Sequence, residues 1–276
     1  LTLDPAINVF KLARGATYKI SHTVIVNQDF TIVADKPDAE NAPPYIVAAT
    51  DLDNEFPGDL IQVNGDLFAQ YLYFMGQDFE AEVIGEGSDA RFGLSNIKEG
   101  GTSIVDGCYF EWLRGGIIVA GPAANVTFTN NLSMHNKHAG VGKWSNWWGW
   151  SILGGGTGGN VIMRNNTYMN SPGPFYHNWK EVEATMVVDH NTIINNSIYT
   201  FFNTEWSNHT IKNNLFLNAQ SEGIERQNLN LDSTLAQGII YVDSLSRYGL
   251  DTIFAAQEGI DLADVESNRK FNAKFC

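Results

Sequence analysis

The segment 176–183 concentrates side chains that can transfer protons and bind cations. His177 titrates near neutral pH, and burial beside other cations can bring the pKa of a lysine such as Lys180 toward neutrality. Glu181 and Glu183 offer the carboxylate oxygens that Ca²⁺ prefers as ligands. Far upstream, Arg91 supplies a fixed positive charge. No single motif joins these residues, so their chemistry depends on a fold that brings distant parts of the chain together.

A second candidate feature is a Trp- and Gly-rich stretch at 137–160, which contains Trp144, Trp147, Trp148 and Trp150. Aromatic faces stack on sugar rings, so Trp144, Trp147 and Trp148 are candidate substrate-binding residues. Two alternatives remain open. The tryptophans could pack the stretch onto the body of the protein, with Trp144 outward and Trp150 inward, or they could contact another protein.

Composition limits the classes of partner and the compartment. The chain has 276 residues and a net charge of −14, so a nucleic-acid partner is not expected. No apolar stretch is long enough to cross a membrane. The sequence begins at Leu1 rather than Met, which we interpret as a mature or trimmed secreted protein. Cys108 and Cys276 are expected to be two unrelated thiols rather than a disulfide.

Repeated segments supply the scaffold that could position these groups. Four of them share a strand, a polar turn pair and a second strand, and their aligned asparagines are Asn131, Asn166, Asn191 and Asn214. The spacings of 35, 25 and 23 residues indicate coils of roughly two dozen residues, the first lengthened by an insertion. Cys108 takes the asparagine position one coil earlier. Apolar residues alternate with period 2 on both sides of the turn, which indicates strands rather than helices.

Stacked coils would place the repeated asparagines in one column. Asn tolerates the left-handed backbone conformation that a tight bend needs. With coils about 4.8 Å apart, equivalent asparagines could share amide hydrogen bonds as a ladder. The fold class predicted is therefore all-β, a right-handed parallel β-helix, or solenoid.

The sequence resembles the pectin-lyase-like superfamily of parallel β-helices, in particular its secreted bacterial members. The resemblance rests on an opening coil at 12–18, Val24–Val26 and Phe30–Val33, and on tail segments at 238–243 and 268–271. We expect a single domain over 1–276, with an N-terminal coil and cap at 1–57 and regular coils at 58–243. The segment 244–276 would be a C-terminal portion that could be incomplete.

The resemblance implies that saccharides bind along the outer face of one parallel sheet. Its strands are expected within 59–65, 90–96, 116–121, 148–154, 176–182 and 199–206. Outward polar residues there would line a groove: Gln62, Asn64, Arg91, Ser95, Ser151, His177, Lys180, Glu181, Asn203 and Glu205.

Lyase chemistry on a uronic acid needs a base, a carboxylate neutraliser and an acid. Lys180 or His177 could be the base, unless both are solvated groove residues without a catalytic task. Arg91, Arg114 or Arg164 could neutralise the carboxylate, although a structural role is favoured for Arg164. Ca²⁺ held by Glu181, Glu183 or Glu205 is the alternative neutraliser. Asn203 and Glu205 are expected to contact substrate. Hydrolysis by two carboxylates about 5–10 Å apart is the weaker enzymatic hypothesis.

Two classes of function are therefore expected for a secreted or cell-surface protein. The first is a polysaccharide lyase that acts on an acidic glycan by β-elimination. The second is a non-catalytic β-helix, such as an adhesin, a glycan-binding protein or a filament subunit that self-associates through its coil ends.

Overall fold

The computed structural model describes a large part of the chain as stacked β-strands. The residues described are 7–77, 90, 92–113, 116–136, 150–154, 159–170, 176–178, 185–194, 201–202, 209–217, 235–237 and 240–242. Within them the regular elements are strands, and these form three sheets.

The strands of the three sheets alternate along the chain. The first sheet contains β1 (Val9–Leu12), β4 (Phe30–Ala34), β7 (Leu67–Gln70), β10 (Thr102–Asp106), β13 (Asn125–Thr129), β16 (Asn160–Arg164), β19 (Thr185–Asp189), β22 (His209–Lys212) and β24 (Leu235–Gln237). The second contains β2 (Thr17–Ile20), β5 (Tyr45–Ala48), β8 (Tyr73–Met75), β11 (Tyr109–Glu111), β14 (Leu132–Met134), β17 (Thr167–Met169), β20 (Thr192–Ile194), β23 (Leu215–Leu217) and β25 (Ile240–Val242). The third contains β3 (Val24–Val26), β6 (Asp59–Val63), β9 (Phe92–Asn96), β12 (Gly116–Ala120), β15 (Trp150–Gly154), β18 (Tyr176–Asn178) and β21 (Phe201–Phe202).

As far as β20, each strand pairs in parallel with the strand three elements later, so three strands complete one coil. The predicted parallel β-helix is confirmed. In strands such as β4 and β13, alternate residues enter one apolar interior. Phe74 and Phe110 stack there with ring centroids 5.0 Å apart, and Phe128 packs against Phe110 in a tilted arrangement at 5.9 Å.

The predicted asparagine column is also confirmed. The backbone N–H of Asn131 donates to Oδ1 of Asn166 at 2.9 Å, and Asn166 donates in the same way to Asn191 at 3.0 Å. Asn191 donates to Asn214 at 2.8 Å, and Cys108 N–H donates to Asn131 Oδ1 at 2.8 Å. All five residues are buried. The column thus pairs backbone groups that each bend would otherwise leave unsatisfied.

The left-handed backbone conformation falls on the residue before each column position. The residues concerned are Tyr71 (φ 60°), Gly107 (62°), Asn130 (57°), Asn165 (54°), His190 (55°) and Asn213 (55°). The first residue of each turn pair therefore makes the bend, and the second turns its side chain into the interior. Sequence reasoning assigned the bend to asparagine without separating these two roles.

The six segments predicted to form the groove each contain a strand of the third sheet, from β6 to β21. β15 begins at Trp150. The rest of the tryptophan cluster and the predicted C-terminal portion 244–276 lie outside the described residues.

Candidate functional site

The third sheet aligns one register position from seven coils, and that column crosses the predicted groove. Its members are Ile25, Gln62, Ser95, Val119, Leu153, His177 and Phe202. The backbone of His177 therefore shares a column with Gln62 and Ser95. Three strand steps separate it from Ser95, or roughly 14 Å.

The exposure of the side chains in this column decreases over its first three strands. Ile25 is 57% exposed, Gln62 is partly exposed, and Ser95 is only 2% exposed. Ser95 was predicted to line an open groove, and that prediction is wrong because its side chain is buried. Within the described residues, its hydroxyl oxygen has no hydrogen-bond partner. The outer face is thus open at the first coils and covered at β9.

Most of the predicted site residues fall outside the described part of the chain. These are Arg91, Trp144, Trp147, Trp148, Lys180, Glu181, Glu183, Asn203 and Glu205. His177 is placed through its backbone, which pairs in register with Leu153 and Phe202. Arg164 lies on the first sheet, where its Nε is 3.6 Å from Asp189 Oδ2. It therefore cannot neutralise a substrate carboxylate at the third sheet.

A second constellation, on the outer face of the second sheet, links three successive coils. The Tyr73 hydroxyl donates to Glu111 Oε2, and Glu111 Oε1 lies 2.7 Å from His135 Nδ1. The His135 ring stacks on Trp112 with a centroid distance of 5.2 Å. Glu111 is mostly buried, whereas the His135 side chain is 38% exposed. We name these four residues the Tyr–Glu–His–Trp cluster.

Comparison with known sequence families identifies the family to which the chain belongs. The family described as "Right handed beta helix region" matches residues 86–225, slightly more than half of the chain. The chain belongs to this right-handed β-helix family. No curated protein and no solved structure matches the chain.

The coil geometry of this right-handed β-helix explains why the Tyr–Glu–His–Trp cluster was not predicted. Tyr73 and Glu111 occupy different positions of adjacent coils, and His135 lies in the bend of the next coil. The residues meet diagonally, so they show no common spacing in the sequence. Numbering each residue from its coil's column position, Cys108 or Asn131, would have revealed their proximity.

Burial, reinforced by the hydrogen bond to Glu111, raises the pKa of Tyr73. The phenol therefore remains protonated and keeps donating to the carboxylate. With a proton on Nδ1, His135 also donates to Glu111 and leaves Nε2 as an acceptor, 3.5 Å from Asn170 Nδ2. The cluster presents one partly exposed imidazole whose orientation is fixed by Glu111 and Trp112, an arrangement suited to accepting a hydrogen bond.

The β-helix contains no group of three His, Cys, Asp or Glu side chains able to hold a metal ion among the residues described. The proposed Ca²⁺ ligands, Glu181 and Glu183, lie outside that set. In the same part of the chain, no helix has the length and apolarity that a membrane crossing requires.

Proposed function

We propose that this right-handed β-helix is an extracellular polysaccharide-active protein that binds an acidic glycan along the outer face of its third sheet. The observation that carries the proposal is the register of that sheet beyond the covered position at Ser95, which sets Val119, Leu153, His177 and Phe202 in one column. A continuous parallel sheet presents equivalent positions at a regular step of about 4.8 Å, which suits a polymeric ligand.

The reaction we propose is β-elimination. His177 or Lys180 removes the C5 proton of a uronic acid, and the bond from C4 to the leaving oxygen breaks as a C4–C5 double bond forms. The leaving oxygen takes up a proton from water to become a hydroxyl group. Arg91 stabilises the negative charge that develops at the carboxylate. Ca²⁺ held by Glu181 and Glu183 would supply a second positive charge for that carboxylate. Trp144, Trp147, Trp148, Asn203 and Glu205 would hold the glycan.

Product absorbance tests this reaction directly. The protein is incubated with pectate, alginate and glycosaminoglycans, with and without Ca²⁺, and the ultraviolet absorbance of an unsaturated sugar end is followed. We expect absorbance to rise with at least one polyuronate. The double variant H177A/K180A should abolish the rise, whereas R164A, on the first sheet, should retain it. No absorbance change with any of these substrates would contradict lyase activity.

A non-catalytic glycan-binding function is the second candidate. The register positions that flank His177 hold Leu153 and Phe202, and the position before Leu153 holds Val119. Apolar residue types favour contact with the C–H faces of sugars over charge-dependent chemistry. In this case the wild type should bind a glycan without producing absorbance, and H177A/K180A should bind it equally well. Glycan turnover by the wild type would rule this candidate out.

A further inference from the structure

A cleft lies at the bend between the first and second sheets, on a different part of the coil from the third sheet. The loop 37–43 forms one wall, and Tyr71, Gly107 and Tyr109 form the floor. Its volume of about 260 Å³ corresponds to roughly eight or nine waters at about 30 Å³ each. That is enough space for one small ring-shaped ligand.

Arg14 holds the loop wall in place. Its side chain is only 9% exposed. Its guanidinium donates to the carbonyl oxygens of Asn41 at 3.2 Å and Asp35 at 3.0 Å. It also lies 3.6 Å from Asp38 Oδ2. Because Arg14 is committed to these contacts, it fixes the shape of the wall rather than serving as a free cation for a ligand.

Asp38 organises the polar rim of the cleft. Its Oδ1 accepts the backbone N–H groups of Glu40 at 2.9 Å and Asn41 at 2.7 Å. These two backbone hydrogen bonds, led by that of Asn41, lower the pKa of Asp38. The rim therefore carries two carboxylates, Asp38 and Glu40, against the single positive charge of Arg14.

The floor depends on an unusual choice of residue. Tyr71 adopts φ 60° at the bend position, one residue before the column, where later coils use Gly, Asn or His. A bulky residue is disfavoured in this conformation, and such strain is typical of sites with a function. In the next coil, a Cβ on Gly107 would lie 2.7 Å from the Tyr71 ring. The glycine thus leaves room for the ring to lie across the bend.

Tyr109 extends this floor into a row of tyrosines on the second sheet. The ring centroids of Tyr73 and Tyr109 are 5.7 Å apart, and those of Tyr45 and Tyr73 are 4.8 Å apart. An aromatic floor next to carboxylate and amide groups can stack on the C–H face of a sugar while accepting hydrogen bonds from its hydroxyls.

We propose that this cleft binds a single pyranose ring that is neutral or carries an amine, and that it disfavours uronic acids. The local excess of one negative charge repels a ligand carboxylate and attracts an ammonium group. The cleft is distinct from the face where the acidic glycan is proposed to bind. Its occupancy can therefore be tested independently of lyase activity.

Three sugars of similar size and different charge test the proposal: glucosamine, glucose and glucuronate. Binding is followed by nuclear magnetic resonance on protein with ¹³C-labelled tyrosine rings. We expect saturable shifts of Tyr71 and Tyr109, tightest for glucosamine and weakest for glucuronate. Dissociation constants should be on the order of 1–10 mM, since one ring has few atoms to contribute.

The variant Y71N removes the ring while keeping a residue type that later coils place in this bend. We expect it to fold normally and to bind glucosamine at least about tenfold more weakly, a loss of about 1.4 kcal/mol. E40Q should reduce the preference for glucosamine over glucose and leave glucose binding in place. Absence of saturable shifts with all three sugars, tightest binding of glucuronate, or unchanged binding by Y71N would each overturn the proposal.

Discussion

Cys108 fills the column position that asparagine holds in four later coils, and it is fully buried. Its Sγ lies 3.5 Å from the carbonyl oxygen of Asp106, and burial raises the pKa of the thiol to about 12. The thiolate is the reactive form of cysteine. At pH 8 only about one Cys108 thiol in ten thousand would be ionised, so the residue has a packing role rather than a chemical one.

We expect Cys108 to resist alkylation in the folded protein. In a C276S background, iodoacetamide at pH 8 should react at least about a thousandfold more slowly with folded protein than with protein unfolded in urea. Because the pKa is raised, increasing the pH from 7 to 9 should produce little labelling of the native state. The variant C108A/C276S has no cysteine and measures the background labelling. Equal labelling of folded and unfolded protein would contradict the expectation.

Asn166 is the best test of the buried column. Its Oδ1 accepts the backbone N–H of Asn131 at 2.9 Å, and its Nδ2 donates to the Phe128 carbonyl at 2.8 Å. The variant N166A leaves both groups buried without these partners. We expect it to lower the free energy of unfolding by about 3 kcal/mol, measured by urea denaturation.

The neighbouring residue provides the matched control. Asn165 is exposed and left-handed, so N165G keeps the bend without a steric penalty. It should lower the free energy of unfolding by less than about 1 kcal/mol. Equal losses for N165G and N166A would show that the bend conformation, rather than the amide column, limits stability.

At the scale of the elements, close stacking of adjacent bends depends on small residues. A Cβ on Gly65 would lie 2.2 Å from the carbonyl carbon and oxygen of Gln28 in the preceding coil. The variant G65A must therefore push two coils apart, and we expect a loss of about 3 kcal/mol of stability. G58A is the control, because a Cβ there meets no atom within 4 Å. Thermal unfolding of both variants measures the difference, and similar melting temperatures would argue against tight bend packing.

Much of the element arrangement could be predicted because the repeated asparagines mark the same point of each coil. Once Asn131, Asn166, Asn191 and Asn214 are aligned, the strands before and after them must stack in register. The third-sheet strands follow by counting back from each bend.

The details of the outer faces could not be predicted in the same way. Alternation indicates which side of a strand Ser95 occupies, but not what covers that side. Its burial was therefore unexpected. The Tyr–Glu–His–Trp cluster and the cleft at Tyr71 depend on diagonal contacts between coils and on the path of a loop. Neither leaves a periodic signal in the sequence.

At the scale of the whole molecule, net charge should oppose the binding of an acidic glycan. The charge of −14 produces a repulsive long-range field. We expect the affinity for a polyuronate to increase as salt is raised to about 0.15 M, where the Debye length is about 8 Å. A neutral glycan is the control and should show little dependence on salt. A steady fall in polyuronate affinity would instead indicate that local cations dominate.

The prediction that coil ends self-associate can be tested at the first described coil. Among the described strands, β1, β2 and β3 lie at the outer edges of their sheets, and Val9 and Ile25 are each 57% exposed. Exposed strand edges favour pairing with another chain, and lysine on an edge opposes it. We expect sedimentation velocity to show association that increases with protein concentration. The variant V9K/I25K should associate less than the control L52K, which changes an exposed loop residue. A monomer at every concentration would exclude end-to-end assembly.

The hydrogen bonds of the asparagine column all run in one direction, because each side-chain oxygen accepts from the coil before it. Each of the four coils marked by Asn131, Asn166, Asn191 and Asn214 therefore meets its predecessor through the same chemical group. Removal of 167–191 would place Asn166 next to Asn214. The backbone N–H of Asn166 would then donate to Asn214 Oδ1, as it donates to Asn191 Oδ1 in the intact chain. Such a fold can gain or lose whole coils while the hydrogen bonds between the remaining coils are preserved.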